Sequence, residues 1–288
     1  MLGRRKPRAP SGPDIAVTWN RDKILVLLAG GTLILGLLGV GLALALVDLV
    51  RGSGDSASAD RTAVPAVGRD GRAAAAAAAV DSAGLVLTRD ELAARVMPQV
   101  PQSASRPSAI SLQDPGPPIV LPPATGLGPA GVPTGFPRTP EGALAQLAAL
   151  DAAALSSGSV AGARAVIAGW ALPGGPTTTS WSGVRAIAGL LEAAGVAGGT
   201  GQLAVVATPS MGLIKGTDGP DFVIPCIDFA IDVTVNTTAR GAIADCQRMV
   251  WSGGRWLIGP GPEPADPPSV WPGSELSITV GYRDLRRG

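Results

Sequence analysis

Histidine is absent from all 288 positions. That removes Ser-His-Asp and Cys-His nucleophile pairs, imidazole metal ligands, and an imidazole switch near neutral pH. Cysteine is confined to Cys226 and Cys246, with no C-x-x-C pair, which argues against catalytic thiol exchange. No glycine-rich phosphate loop stands out: Gly253-Gly254 reads as a hairpin closure, and Gly198-Gly199 joins a helix to a strand. Excess basic charge is also missing after residue 23, where acids slightly outnumber bases, so nucleic acid is not an expected partner.

What the chain does have is one long apolar run, Ile24–Val47, between Arg21/Lys23 and Asp48/Arg51. About 20 apolar residues cross a bilayer core of roughly 30 Å, so the run reads as a single membrane-spanning helix. Arg4, Arg5, Lys6, Arg8, Arg21 and Lys23 precede it against Asp14 and Asp22, which places residues 1–23 in the cytoplasm and residues after about 50 outside. Trp19 suits an interfacial anchor. The alternative is a cleaved secretory signal, with Ala43-Leu44-Ala45 as the cleavage site. A signal core is normally about 7–15 residues, shorter than this run, so a retained single-pass anchor in the cell membrane is expected. Thr32/Gly36, Gly39/Ala43 and Gly41/Ala45 have the small-xxx-small spacing through which helices self-associate into homo-oligomers.

Residues 48–136 read as a low-complexity linker. Ser, Gly and Asp at 52–60, Ala73–Ala79, and Pro115, Pro117, Pro118, Pro122, Pro123, Pro129 and Pro133 give no sustained apolar period. Such a spacer has a reach on the order of 50 Å. One island stands out in it: Thr88-Arg89-Asp90-Glu91 has capping-box spacing, Leu92 and Val96 follow at i,i+4, and Pro98 stops the pattern. A short helix is expected near 89–97, docked on the domain, docked on a partner, or unattached.

A folded domain is expected over 137–288. Thr139-Pro140-Glu141 is a helix start, followed by Leu144, Leu147, Leu150 and Ala154 at helical spacing. Helices are also expected over Ser159–Trp170 and about Ser180–Glu192. After Gly201 the period becomes two. Strand regions are Gln202–Pro209 with Met211–Lys215, Phe222–Val235, Ala242–Trp251 across an Asn236–Gly241 turn, Arg255–Ile258, and a final alternation of Leu276, Ile278, Val280 and Tyr282. In Phe222–Val235, Ile227, Phe229, Ile231, Val233 and Val235 lie on one face, and Asp228, Ala230, Asp232 and Thr234 on the other. Helices followed by antiparallel strands make an α+β order.

That order, with a last hairpin carrying Gly254-Arg255-Trp256, resembles the cone of nuclear transport factor 2-like domains over residues 137–262. With one N-terminal span and a Pro-rich spacer, the chain is similar to membrane-anchored actinobacterial proteins that carry such a domain outside the membrane. The resemblance implies a scaffold subunit of a conjugation or type IV secretion machine. Proteins of lipid-import operons share the fold but have a helical segment directly after the membrane, which this linker does not match.

Enzymes on that fold use a pocket carboxylate with Tyr, His or a second acid. Here Asp228 and Asp232 read as a solvated sheet face, Asp245 is the other acid on the best strands, and Tyr282 stands near the C-terminus. Ser210 and Ser252 have no recognisable base in the sequence. No enzymatic activity, catalytic residue, metal site or cofactor is therefore expected. Six Trp suggest a binding surface, with Trp271 in its Pro-rich loop as the candidate partner contact; a loop residue folded over the sheet is the alternative. Asn236-Thr237-Thr238 matches a glycosylation sequon, and a polar hairpin tip explains it equally. Cys226 and Cys246 face each other if the hairpin centres near Asn236 and not if it centres nearer Thr238; a structural disulfide is expected, with two buried thiols as the alternative. The expected function is a membrane-anchored, extracytoplasmic binding or scaffold module with protein partners in an envelope assembly. The alternatives are an exported domain for a lipid or small apolar ligand, or an enzyme.

Overall fold

The structure, a computed structural model, describes residues 87–196 and 203–288. The expected span, the basic tail, and the linker up to residue 86 lie outside these residues. Among the described residues no helix is long and apolar enough to cross a membrane.

The architecture is mixed α+β with a curled antiparallel sheet. Its elements are α1 (Arg89–Ala94), β1 (Ile119–Leu121), β2 (Gly126–Leu127), β3 (Pro133–Thr134), α2 (Pro140–Ser156), α3 (Val160–Trp170), α4 (Ser182–Ala193), β4 (Ala204–Thr217), β5 (Phe222–Thr234), β6 (Thr238–Cys246), β7 (Met249–Ser252), β8 (Arg255–Ile258), α5 (Glu275–Val280) and β9 (Arg283–Arg287). The sheet order is β1-β9-β4-β5-β7-β8, with β6 also paired to β5. Among the described strands only β1 and β9 pair in parallel. The strands β2 and β3 form a separate small hairpin.

The helices start where side-chain oxygens can satisfy free backbone donors. Thr139 accepts from Gly142 N–H with Pro140 in the first turn, and Ser159 accepts from Gly162 N–H. These helices cover the face of β5 that carries Ile227, Phe229 and Ile231, with Leu144, Leu147, Leu150, Ile167, Trp170 and Ile187 in the same core. The indole N–H of Trp170 donates to Pro129 C=O at 3.0 Å, and that of Trp256 to Pro137 C=O at 2.9 Å. Both large rings are thus buried with their one polar atom satisfied.

The opposite face of β5 is buried as well, by residues far from it in sequence. Phe222, Ile224, Cys226, Met211, Val270 and Tyr282 pack with Leu92, Ala93 and Met97 in a second core. From Leu87 onward, therefore, the expected spacer belongs to the packed body. The Thr88/Glu91 capping box forms α1, and Leu92 docks over Gly216, where an added Cβ would come within 2.4 Å of a Leu92 methyl. Lys215 Nζ donates to Ala93 C=O at 2.8 Å, Arg248 pairs with Asp90 at 2.7 Å, and Arg89 pairs with Asp218 at 2.6 Å. Burial, then nearby Arg95, lowers the Lys215 ammonium to about 8. Further on, Ile119 pairs with Leu285 at the sheet edge. Proline content hid these contacts because a three-residue strand needs no apolar period.

Four other elements differ from the sequence reading, the first being the expected strand Ala242–Trp251, which is broken at Gln247-Arg248 into β6 and β7. The β5–β6 turn is shorter than Asn236–Gly241, because Thr234 is already opposite Thr238 and the hairpin centres on Asn236. The two strand regions 202–209 and 211–215 are one strand, β4, with irregularities between Pro209 and Met211 and between Ile214 and Gly216. The final alternation is not a strand. Ser274 caps α5 through Ser277 N–H, and Gly281, at φ 99°, ends it in the left-handed region, so strand structure resumes only at Arg283.

Leu92→Ala is expected to destabilise the fold by about 2–5 kcal/mol, the usual cost of deleting a fully buried leucine. Urea unfolding measures this. A loss below about 0.5 kcal/mol would mean that α1 contributes little to the packed body.

Candidate functional site

The hairpin register brings the two cysteines together. Cys226 is opposite Cys246, and they form a disulfide. Such a bond persists in oxidising compartments and suits an extracellular domain.

Directly beside Cys246 in sequence, Asp245 lies on the helix-facing side of the sheet, opposite Ile227. It borders a cavity of about 50 Å³ between α2, α4, β5 and β6. Asp151 enters from α2, one turn after Leu147 and one before Leu155, which places its carboxylate on the buried stripe of that helix. Leu155, Gly183, Ala186, Phe229 and Ile243 supply mostly apolar walls, and Ser182 stands at the rim.

Hydrogen bonds treat the two acids differently. Gln247 Nε2 donates to Asp245 Oδ2 at 2.9 Å and to Ser182 Oγ at 2.8 Å. Neither carboxylate oxygen of Asp151 has a protein partner, although the residue is 4% exposed. Glu263 is better served: it accepts from Ser182 N–H at 2.7 Å, at the start of α4, and from Arg185 at 2.8 Å. Burial, followed by the charges of Asp245 and Glu263, raises the Asp151 carboxyl well above its ordinary value. Burial pushes Asp245 up to about 7; bonds from Gln247 and Ser182 oppose the rise, Glu263 adds to it, and the Cys246 backbone N–H opposes it. Near neutral pH the site can therefore hold or release a proton, and it offers acceptors to a ligand rich in donors. Among the described residues no group of three or more metal-ligating side chains comes together.

A third acid corrects the sequence reading of β5. Asp228 is not on a solvated face but is 0% exposed, under the cover supplied by the segments around α1 and α5. Burial raises its carboxyl to about 8, moderated by the Val270 backbone N–H. Tyr282 is buried nearby, its hydroxyl donating to Pro268 C=O at 3.2 Å; burial and then the charges of Asp228 and Asp245 push it above the ordinary phenol range. Asp232 does reach solvent and pairs with Arg240 at 2.6 Å, whose hydrogen bond keeps it below the ordinary carboxylate value.

The remaining candidates are separate from this pocket. Trp271 is half-buried, and its backbone N–H donates to Ala104 C=O at 2.7 Å, tying its loop to the 102–105 turn. Ser210 Oγ donates to Thr208 C=O at 2.9 Å, Ser252 ends β7, and Asn236 is exposed at the hairpin tip. Asp151 and Glu263 were missed in the sequence. Asp151 had a readable signal, a carboxylate four residues after Leu147 and three before Ala154, within an otherwise apolar stripe. Comparisons of the chain with protein-family models, curated proteins and solved structures return no match.

The raised Asp228 value has a definite sign in stability. The folded state favours the protonated form relative to the unfolded chain, whose aspartates titrate near 4. That contribution is complete below about pH 4 and is lost as pH rises through about 8. Asp228→Asn should therefore raise stability above about pH 8 by on the order of a few kcal/mol and change little near pH 4. Urea unfolding across this range tests it, and an equal effect at both ends would remove titration as the cause.

Proposed function

We propose that the chain is a membrane-anchored, extracytoplasmic binding or scaffold module with a nuclear transport factor 2-like domain, acting as an accessory subunit of a conjugation or type IV secretion assembly. The observation that carries the reading is the exposed apolar surface beside β1 and β4. The cavity that Asp151 and Asp245 border has a volume of about 50 Å³. At roughly 10–15 Å³ per water, it takes a few small heavy atoms. That is too small for a lipid or an extended apolar ligand; such a ligand would have to use the opening of about 470 Å³ lined by Leu190, Ala194, Ile231 and Val233, between α4 and β5.

The outside offers more to a partner. Val206, Val120 and Leu127 are more than half exposed. Beside β1 and β4, an apolar groove of about 440 Å³ is lined by Leu121, Pro122, Phe136, Ala148, Ala207 and Pro209. Exposed apolar surface of this kind is typical of protein-docking faces. The Cys226–Cys246 bond agrees with export of the domain, and the span over Ile24–Val47 supplies the anchor.

In-cell crosslinking of the full chain from its native membrane, compared with a chain ending at residue 86, tests the proposal. Secretion or conjugation subunits should be recovered only when residues 87–288 are present. Recovery of lipid without a protein partner would overturn the reading in favour of an exported ligand-binding domain.

A further inference from the structure

We infer that the Asp151–Asp245 cavity is a binding site for a primary ammonium group on a short alkyl stem, the chemistry of a lysine side chain presented by a partner protein. The inference rests on the partner-binding reading above for the source of the lysine, but the site itself is argued from its own atoms.

Acceptors exceed donors around the cavity. Among the side chains that line it, both carboxylate oxygens of Asp151 are buried without a partner, and no lining side chain has an unpartnered buried donor. A buried polar atom left unpaired is costly, more so when it is charged. Two buried acceptors on one carboxylate therefore call for a donor-rich occupant. An ammonium has three N–H donors and no acceptor, and it offsets the carboxylate charge, which Glu263 cannot do. Arg185, the cation on the neighbouring turn of α4, is already engaged by Glu263 at 2.8 Å.

Size and wall chemistry select the stem. A volume of about 50 Å³ accepts an ammonium with one or two methylenes. A planar guanidinium is a tighter fit because it is broader. Leu155, Ala186, Phe229 and Ile243 give a mostly apolar channel suited to methylenes. Ser182, Ala186, Ile243 and Asp245 are only partly buried, so the cavity can be entered past them. An aminolipid head group fits less well, because its phosphate follows the ammonium by two carbons and would lie against those apolar walls.

The test is an NMR titration of the full chain in detergent micelles, in a buffer more basic than the Asp245 value of about 7. The probes are n-butylammonium, n-butanol and phosphoethanolamine. The expected result is that n-butylammonium shifts the amide resonances of Ala186, Ile243 and Asp245, and that n-butanol binds at least tenfold more weakly. Asp151→Asn and Asp245→Asn should each weaken the ammonium at least tenfold, with thermal unfolding confirming that both variants are folded. Ala186→Leu narrows the channel without touching an acid and should also block the probe. Equal binding of n-butanol, binding unchanged in both Asn variants, or no response in the wild-type chain would overturn the site. Phosphoethanolamine binding as tightly as n-butylammonium would overturn the lysine assignment in favour of a lipid head group. No partner enters this titration, so its failure would leave the scaffold reading to the crosslinking experiment.

Discussion

Strand β5 has no solvent face along most of its length, and the rest of the domain is arranged around that constraint. Residues Phe222 to Phe229 are all buried. The odd positions 227, 229 and 231 need the three helices, while the even positions 222, 224, 226 and 228 need a second cover. A two-sided apolar strand is usual where helices lie on both sides of a sheet. Here the second side is covered by the capped α1, by the chain around Val270, and by Tyr282, which explains why short segments with no apolar period are held in place. Each contact is small, but together they keep water away from a sheet face that cannot be left wet.

The same constraint accounts for what could be read from the residues and what could not. Helices α2 and α3 announce themselves locally, through Thr139-Pro140-Glu141 and through Ser159 with Val166 and Trp170. The alternation of β5 is equally plain, and it assigns faces correctly. It does not say what covers each face. Asp228 reads as solvent-facing because aspartate usually is, and its cover comes from residues more than a hundred positions earlier and from about forty positions later. Leu276, Ile278 and Val280 alternate like a strand, yet Ser274 and Gly281 bracket a helix; in so short a segment the caps outweigh the period.

The site was half legible. Asp245 stood out as an acid on a strand, but the register that turns it toward the helices depends on where the hairpin bends, and the irregular apolar pattern of β6 leaves that open. Asp151 was passed over, although it is the odd member of an apolar stripe and so could have been read. Glu263 was not legible at all, because it lies in a Pro-rich loop whose path is set by its contacts with α4. The pairing of acids in one small cavity is a tertiary fact, built from three stretches of chain that carry no shared motif.

The parallel pairing of β1 with β9 bears on the order in which the domain is completed. Ile119 lies against Leu285, and Gly288 N–H donates to Leu121 C=O. In a chain made from its N-terminus, β1 emerges early and stays without this neighbour until Arg283–Arg287 has been made. The helices and the β4–β5–β6 meander can assemble first from nearer contacts, so the sheet edge is the last part to close. Without β9 the chain would keep its main cores but leave β1 and the outer edge of β4 unpaired, the kind of surface that quality-control proteases and other copies of the chain both recognise.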